Sequence, residues 1–280
     1  METLPESVTR FVGSHPSISV DDGGVVAGTI VFNDESAVID TLLYFEDAKQ
    51  LLNSLKNKDI TIKAVINTHW HADHNMGNQF FDQSKLISHD NCPSLMKTSG
   101  EKMIESAKKN IPGEAERLKD YKQVFPTKTF SDSLNLPIHD SNLVLYHMPG
   151  HTPDSIVAYL PELKILFAGD TVMDLPYIWH GDRNFLLDSL KKLHRMDIDL
   201  IIQGHGPICT KDKLLLDIHY LENIKKLAQE YINEEKPKED FLKVPISECF
   251  NEYESSLPKP YEKGIHPSNL SKVFTETFSE

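Results

Sequence analysis

The chain has 280 residues, with 29 basic and 42 acidic side chains, a formal net charge of −13, and 39% hydrophobic and 25% charged residues. This composition excludes a disordered chain and provides an apolar core for one large domain, or a domain with an extension. The acidic balance disfavours general nucleic-acid binding, and no apolar run approaches the length of a bilayer span.

The opening stretch "METLPESVTRFVGSHP" shows no basic region followed by an apolar core, so no signal peptide is expected. Cys92, Cys209 and Cys249 are scattered and form no C-x-x-C pair, which predicts a reducing, cytoplasmic setting. The runs at 25–31 and 37–39 read as short strands, with turns at "DDGG" (21–24) and "NDES" (33–36). Phe45, Ala48, Leu51, Leu52 and Leu55 then fall at helical spacing. "TIKAVIN" (61–67) is a β-branched apolar run that predicts a buried strand. The charged segment from Asp90 to Phe125 predicts two helices, over 93–109 and 113–125. "NLVLYH", "KILFAG" and "DIDLIIQG" predict three more strands, with an amphipathic helix over 184–196 before the last. A long helix follows Thr210, and the tail beyond Lys236 carries weaker signals. Strands and helices alternate in both halves, which predicts a layered α/β protein.

Four polar motifs share one place, the carboxyl end of a predicted strand. "THWHADH" follows "TIKAVIN", "PGHT" follows "NLVLYHM", "GDT" follows "KILFA" and "GHGP" follows "DIDLIIQ". Ligands of α/β proteins usually bind at such strand ends. Together the motifs supply His69, His71, Asp73, His74, His151, Asp170 and His205. A tetrahedral zinc uses three or four ligands, so seven suit two ions. A natural division gives one ion His69, His71 and His151, and the other Asp73, His74 and His205. Asp170 bridges them through its two oxygens. Zinc is the expected metal, with iron and manganese also accepted by such nitrogen–oxygen donors. Such a pair of ions holds a hydroxide at neutral pH and presents it to a carbonyl or phosphoryl group.

The motifs H-x-H-x-D-H at His69 to His74, P-G-H-T at Pro149 to Thr152, G-D at Gly169 and Asp170, and G-H-G at Gly204 to Gly206 resemble the metallo-β-lactamase superfamily. The resemblance spans about residues 20 to 210. It implies a four-layer αββα sandwich with a dinuclear site at one edge. It also makes Asp40, in "AVIDT", a candidate for orienting a ligand loop. Among the branches, hydroxyacylglutathione hydrolases and lactone hydrolases keep all seven ligands, whereas β-lactamases with a cysteine at the third motif do not match Asp170. The last motif departs from the G-H-E-Y of the former, and Met173 stands where the latter carry a tyrosine.

The expected activity is therefore hydrolysis of an ester, lactone or thioester of a small molecule, with Asp73 as the catalytic side chain that orients the hydroxide or passes its proton. A β-lactam, then a phosphodiester, are the next substrate classes. A mononuclear iron redox enzyme and a non-catalytic metal-binding protein are the alternatives from other classes. Tyr177, Trp179 and His180 are candidate substrate-binding residues in the loop after Asp170. Met96, Met103, Ile104, Leu118, Tyr121 and Phe125 are candidates for an apolar ceiling, and "DDGG" for a flap. Residues 1–210 are expected to form the hydrolase domain, and 211–280 a helical extension packed on it. The long helix after Thr210 is also a candidate homodimer surface.

Overall fold

Two six-stranded sheets face each other across a shared apolar layer. In this computed structural model residues 3–16, 18–21, 23–249 and 261–279 are described. The first sheet runs in chain order through β1 (Val8–Gly13), β2 (Val25–Phe32), β3 (Glu35–Ile39), β4 (Thr61–Ile66), β5 (Leu86–His89) and β6 (Lys128–Phe130). Its first three strands pair antiparallel, and β3 to β6 pair parallel. The second sheet holds β7 (Ser133–Ile138), β8 (Ser141–His147), β9 (Ile156–Leu160), β10 (Ile165–Gly169), β11 (Leu200–Gln203) and β12 (Ile208–Cys209), also in chain order. Only β10 and β11 pair parallel there.

Between the sheets, Ile30, Ile39 and Ile66 meet Leu143, Leu145 and Phe167. The outer faces are covered by helices, so β9 and β10 are buried along their whole length. That is why their sequences read as continuous apolar runs. On the first sheet, α1 (Phe45–Lys56) lays Ala48, Leu51, Leu52 and Leu55 over the strands, where the three leucines pack with Val38 and Val65. The short α2 (Ala72–Asn75), α3 (Cys92–Leu95), α4 (Glu101–Asn110) and α5 (Glu114–Arg117) follow on the same half of the molecule. On the second sheet, α6 (Arg183–Arg195) packs Leu186, Leu190 and Leu193 with Val157, Leu166 and Ile201. The result is the helix–sheet–sheet–helix sandwich that the family resemblance implies.

The predicted helix over 113–125 ends early, at Arg117. Hydrogen bonds with residues distant in sequence hold the 123–125 stretch in a different course. Asn78 Nδ2 donates to the Val124 carbonyl, Gln83 Nε2 to that of Phe125, and Gln123 Nε2 to that of Met96. Pro126 also disfavours helical geometry at Phe125. Past β12 come α7 (Asp212–Asn233), α8 (Lys238–Phe241), α9 (Ile246–Cys249) and α10 (His266–Ser279). Leu270, Val273 and Phe274 of α10 join the same apolar cluster as α6 and α7. Asn269 of α10 is fully buried: its Nδ2 donates to the Pro176 carbonyl, and its Oδ1 accepts from Ile178 N at 3.2 Å. The C-terminal helix thereby grips the loop that follows Asp170. Among the described residues, no helix is long and apolar enough to cross a membrane. Asp22 of the "DDGG" stretch lies outside the described residues.

Candidate metal centre

The four strand-exit motifs converge on one edge of the sandwich. After β4 the loop 67–71 is fixed by its own polar groups. The Asn67 and Asn78 amides bond each other reciprocally at 3.0 and 2.8 Å. Asn75 Nδ2 donates to the carbonyls of Trp70 and His71. These bonds hold His69, His71, Asp73 and His74 on a tight loop and its one-turn helix. β8, β10 and β11 of the facing sheet bring His151, Asp170 and His205.

The seven residues form two adjoining groups. In the first, His69, His71, His151 and Asp170 offer donor atoms within 4.8 Å of one another; in the second, Asp73, His74 and His205 do the same. His71 Nδ1 lies 3.0 Å from His151 Nε2. His205 Nε2 lies 3.1 Å from Asp73 Oδ2 and 3.3 Å from His74 Nε2. Asp170 stands between the groups. Its Oδ2 is 3.8 Å from His69 Nε2 and 3.5 Å from both His151 Nε2 and His205 Nε2, and its Oδ1 is 3.2 Å from His74 Nε2. Gly204 is required by this approach, because a Cβ there would sit 1.9 Å from Asp170 Oδ1.

Whether a metal fits can be judged from the atoms themselves. His69 Nε2 is buried with no hydrogen-bond partner. Buried polar atoms are rarely left so, and a bound ion is one standard way of satisfying them. All the converging atoms are imidazole nitrogens or carboxylate oxygens, which are metal donors, and the set fits a metal centre.

The rings are also oriented from behind. Asp40 adopts a left-handed backbone (φ 59°), which aspartate tolerates. Its carboxylate accepts from Thr68 N at 2.8 Å, Thr68 Oγ1 at 2.7 Å and His74 Nδ1 at 2.8 Å. His74 Nε2 is thereby turned to the site. His151 Nδ1 donates to the Tyr177 carbonyl at 2.8 Å, and His205 Nδ1 donates to that of Gly24. His71 Nε2 and His180 Nδ1 share a hydrogen bond at 2.9 Å. This backing of ligand rings by other groups is usual at metal sites.

Of the three substrate-binding candidates, His180 thus touches a site histidine directly. Tyr177 presents its carbonyl to His151, with its ring centre 5.9 Å from that imidazole. Trp179 is about half exposed. Sequence reading missed His15. It belongs to no motif, yet its Nε2 lies 3.8 Å from Asp73 Oδ2 and its ring stands edge-on to His205. Only the course of the chain after β1 brings it there, so no local signal marked it.

Electrostatics divide the imidazoles. Burial, reinforced by neighbouring histidines, lowers His69 and His71 well below the usual histidine value; burial also lowers His151. Burial acts the same way on His74 and His205, but Asp170 and Asp73 outweigh it. His74 is raised well above the usual value and His205 to about 10. For Asp73 and Asp170, burial favours the neutral form, yet the nearby histidines hold both well below the usual carboxylate range.

A pH profile of the metal-free protein follows. A raised histidine stabilises the fold fully below its unfolded value of about 6.5, and that contribution is lost as pH rises through about 10 for His205. A lowered histidine acts oppositely, destabilising the fold as pH falls below about 6.5. The melting temperature of the chelated protein is therefore expected to peak near pH 6.5 and fall on both sides, as a thermal-melt series from pH 5 to 10 would show. A flat profile across that window would contradict these charge states.

The sequence profile of the metallo-beta-lactamase superfamily matches residues 20–205. A "Beta-lactamase-like protein 2 homolog" of Caenorhabditis elegans is 24% identical over 88% of this chain and 77% of its own. A "Hydroxyacylglutathione hydrolase" of Erythrobacter litoralis (strain HTCC2594) is 30% identical over 57% of this chain and 53% of its own. Among solved structures, that of the DIM-1 metallo-beta-lactamase superposes with a TM-score of 0.63, covering 79% of this chain and 95% of that one at 20% identity, which speaks to the fold. With a profile match over most of its length, two facing sheets between helices and a histidine–aspartate cluster at their edge, the chain belongs to the metallo-beta-lactamase superfamily.

Proposed function

We infer that the chain is a dinuclear, zinc-dependent hydrolase of a small-molecule ester, lactone or thioester. The observation that carries this reading is the Asp170 carboxylate, which faces three histidines with one oxygen and His74 with the other, between two groups of donors. His69, His71 and His151 would hold one ion, Asp73, His74 and His205 the other, with Asp170 shared. Ions held there would supply Lewis-acid polarisation of the acyl oxygen and acidify water.

The chain's own residues do the rest. Asp40, the Tyr177 carbonyl and His180 fix the ring orientations of His74, His151 and His71. Asp73 has the most exposed side chain of the donors, at 19%, which supports giving it the role of orienting the attacking water or passing its proton. His15 Nε2 lies 3.8 Å from the same carboxylate. In this reading residues 1–210 carry the hydrolase domain, and 211–280 brace it through the grip of Asn269 on the loop after Asp170.

The test is a panel of lactones, acyl thioesters, aryl esters and β-lactams offered to the zinc-loaded protein. Turnover of a lactone, thioester or ester, lost on chelation and restored by zinc, is the expected result. No turnover anywhere on the panel would sink the reading. Turnover confined to β-lactams would replace it with the lactamase alternative.

A further inference from the structure

A cavity of about 180 Å³ opens beside Asp73 and His15 and runs between α2, α4 and α5. Its wall is apolar: Leu43, Met76, Met103, Ile104, Ile111 and Leu118 all line it. Away from Asp73 and His15 its charged groups are Arg117 and Glu114, and these neutralise each other. Arg117 Nε donates to Glu114 Oε1 at 2.8 Å and Nη2 to Oε2 at 2.5 Å, while the guanidinium lies over the Tyr44 ring at 4.7 Å. A ligand lodged here therefore meets no net charge.

Two lining residues are unusual for the positions they hold. Met103 is 40% exposed and Ile111 48% exposed. They stand on the lip, where apolar side chains do not serve the core. Drug-sized ligands fill pockets of about 300–1,000 Å³, so this cavity fits one arm of a substrate rather than a whole molecule. On the other side of His15 a wider space of about 560 Å³, lined by Tyr177, Lys263 and Ser268, has room for the remainder.

Resting on the hydrolase reading above, we propose that this cavity binds the acyl chain of the substrate, making the protein selective for esters or thioesters of neutral, medium-length aliphatic acids. The scissile carbonyl lies at Asp73, the chain points between α4 and α5, and the alcohol or thiol departs on the Lys263 side. Hydrolysis adds the elements of water across the acyl bond, giving a free acid and the protonated leaving group.

The test pairs two readouts. The first is kcat/KM for 4-nitrophenyl esters from acetate to dodecanoate. It is expected to rise about fourfold per added methylene until the cavity is full, then level or fall. The second is calorimetric binding of octanoate against butanoate, which needs no turnover; octanoate is expected to bind more tightly. Ala107→Trp, on the wall, is expected to lower the ratio of octanoate-ester to acetate-ester turnover at least tenfold and to remove the octanoate preference. Met103→Trp, at an exposed position, serves if the first variant does not fold. Ester turnover with no chain-length dependence and no octanoate preference would overturn the acyl site while leaving the hydrolase reading intact. Tighter octanoate binding, abolished by the variant, without any ester turnover would uphold the cavity and sink the reaction.

Discussion

Replacement of Asp170 by asparagine is expected to lower hydrolysis at least about a thousandfold, the scale of losing a preorganised electrostatic group. The carboxylate faces both donor groups, with distances of 3.2 to 3.8 Å to four imidazoles. Asparagine keeps the shape but removes the charge and turns an N–H toward nitrogens that must themselves donate electron pairs. Metal content is expected to fall along with activity, because the loss affects both groups. The fold should survive: the apolar layers lie between and outside the sheets, and Asp170 is not part of them. Circular dichroism checks the fold, steady-state kinetics the activity and elemental mass spectrometry the metal. A well-folded, zinc-loaded D170N enzyme with wild-type rate would remove the central role assigned to this residue.

Asp40→Ala is expected to weaken metal binding about 10- to 100-fold, the usual cost of removing a group that orients a ligand. Three hydrogen bonds end on this carboxylate, one from His74 Nδ1 and two from Thr68. Without it, the His74 ring loses its fixed tautomer, and the start of the 68–74 loop loses its anchor. Alanine is also strained at a left-handed φ of 59°, so Asp40→Asn is the companion variant. Asparagine tolerates that backbone and can still accept from Thr68 N, but it cannot offer a carboxylate to His74. Competition with a fluorescent zinc chelator measures the effect. Equal affinity in wild type and both variants would show that His74 needs no such support.

The site was far more legible than the frame around it. Each motif is local, a few residues after an apolar run, so His69 to His74, His151, Asp170 and His205 could be marked without knowing the sheets. Asp40 was reachable only through resemblance, since one aspartate after "AVI" says nothing of the three bonds it accepts. His15 was not reachable at all, because its position depends on long-range pairing of β1 with β2. The same distinction applies to the fold. The helix over 45–56 and the strands before each motif carry clear periodicity. The segment 118–125 reads as helical by composition, but Asn78 and Gln83 bond the carbonyls of its last two residues and its own Gln123 bonds Met96, contacts distant in sequence. Of the candidates for an apolar ceiling, Met96 packs with Trp70 and Cys92, whereas Met103, Ile104 and Leu118 line the cavity beside Asp73.

The most direct measurement is the metal content of the freshly purified chain by elemental mass spectrometry. Two zinc ions per chain is the predicted result, one for each group of donors with Asp170 between them. A single iron per chain, with oxygen consumed on turnover, would contradict the dinuclear hydrolase and favour redox chemistry on the same fold. No metal, even after reconstitution with zinc, iron or manganese, would mean that the converging histidines and aspartates do not form a metal centre.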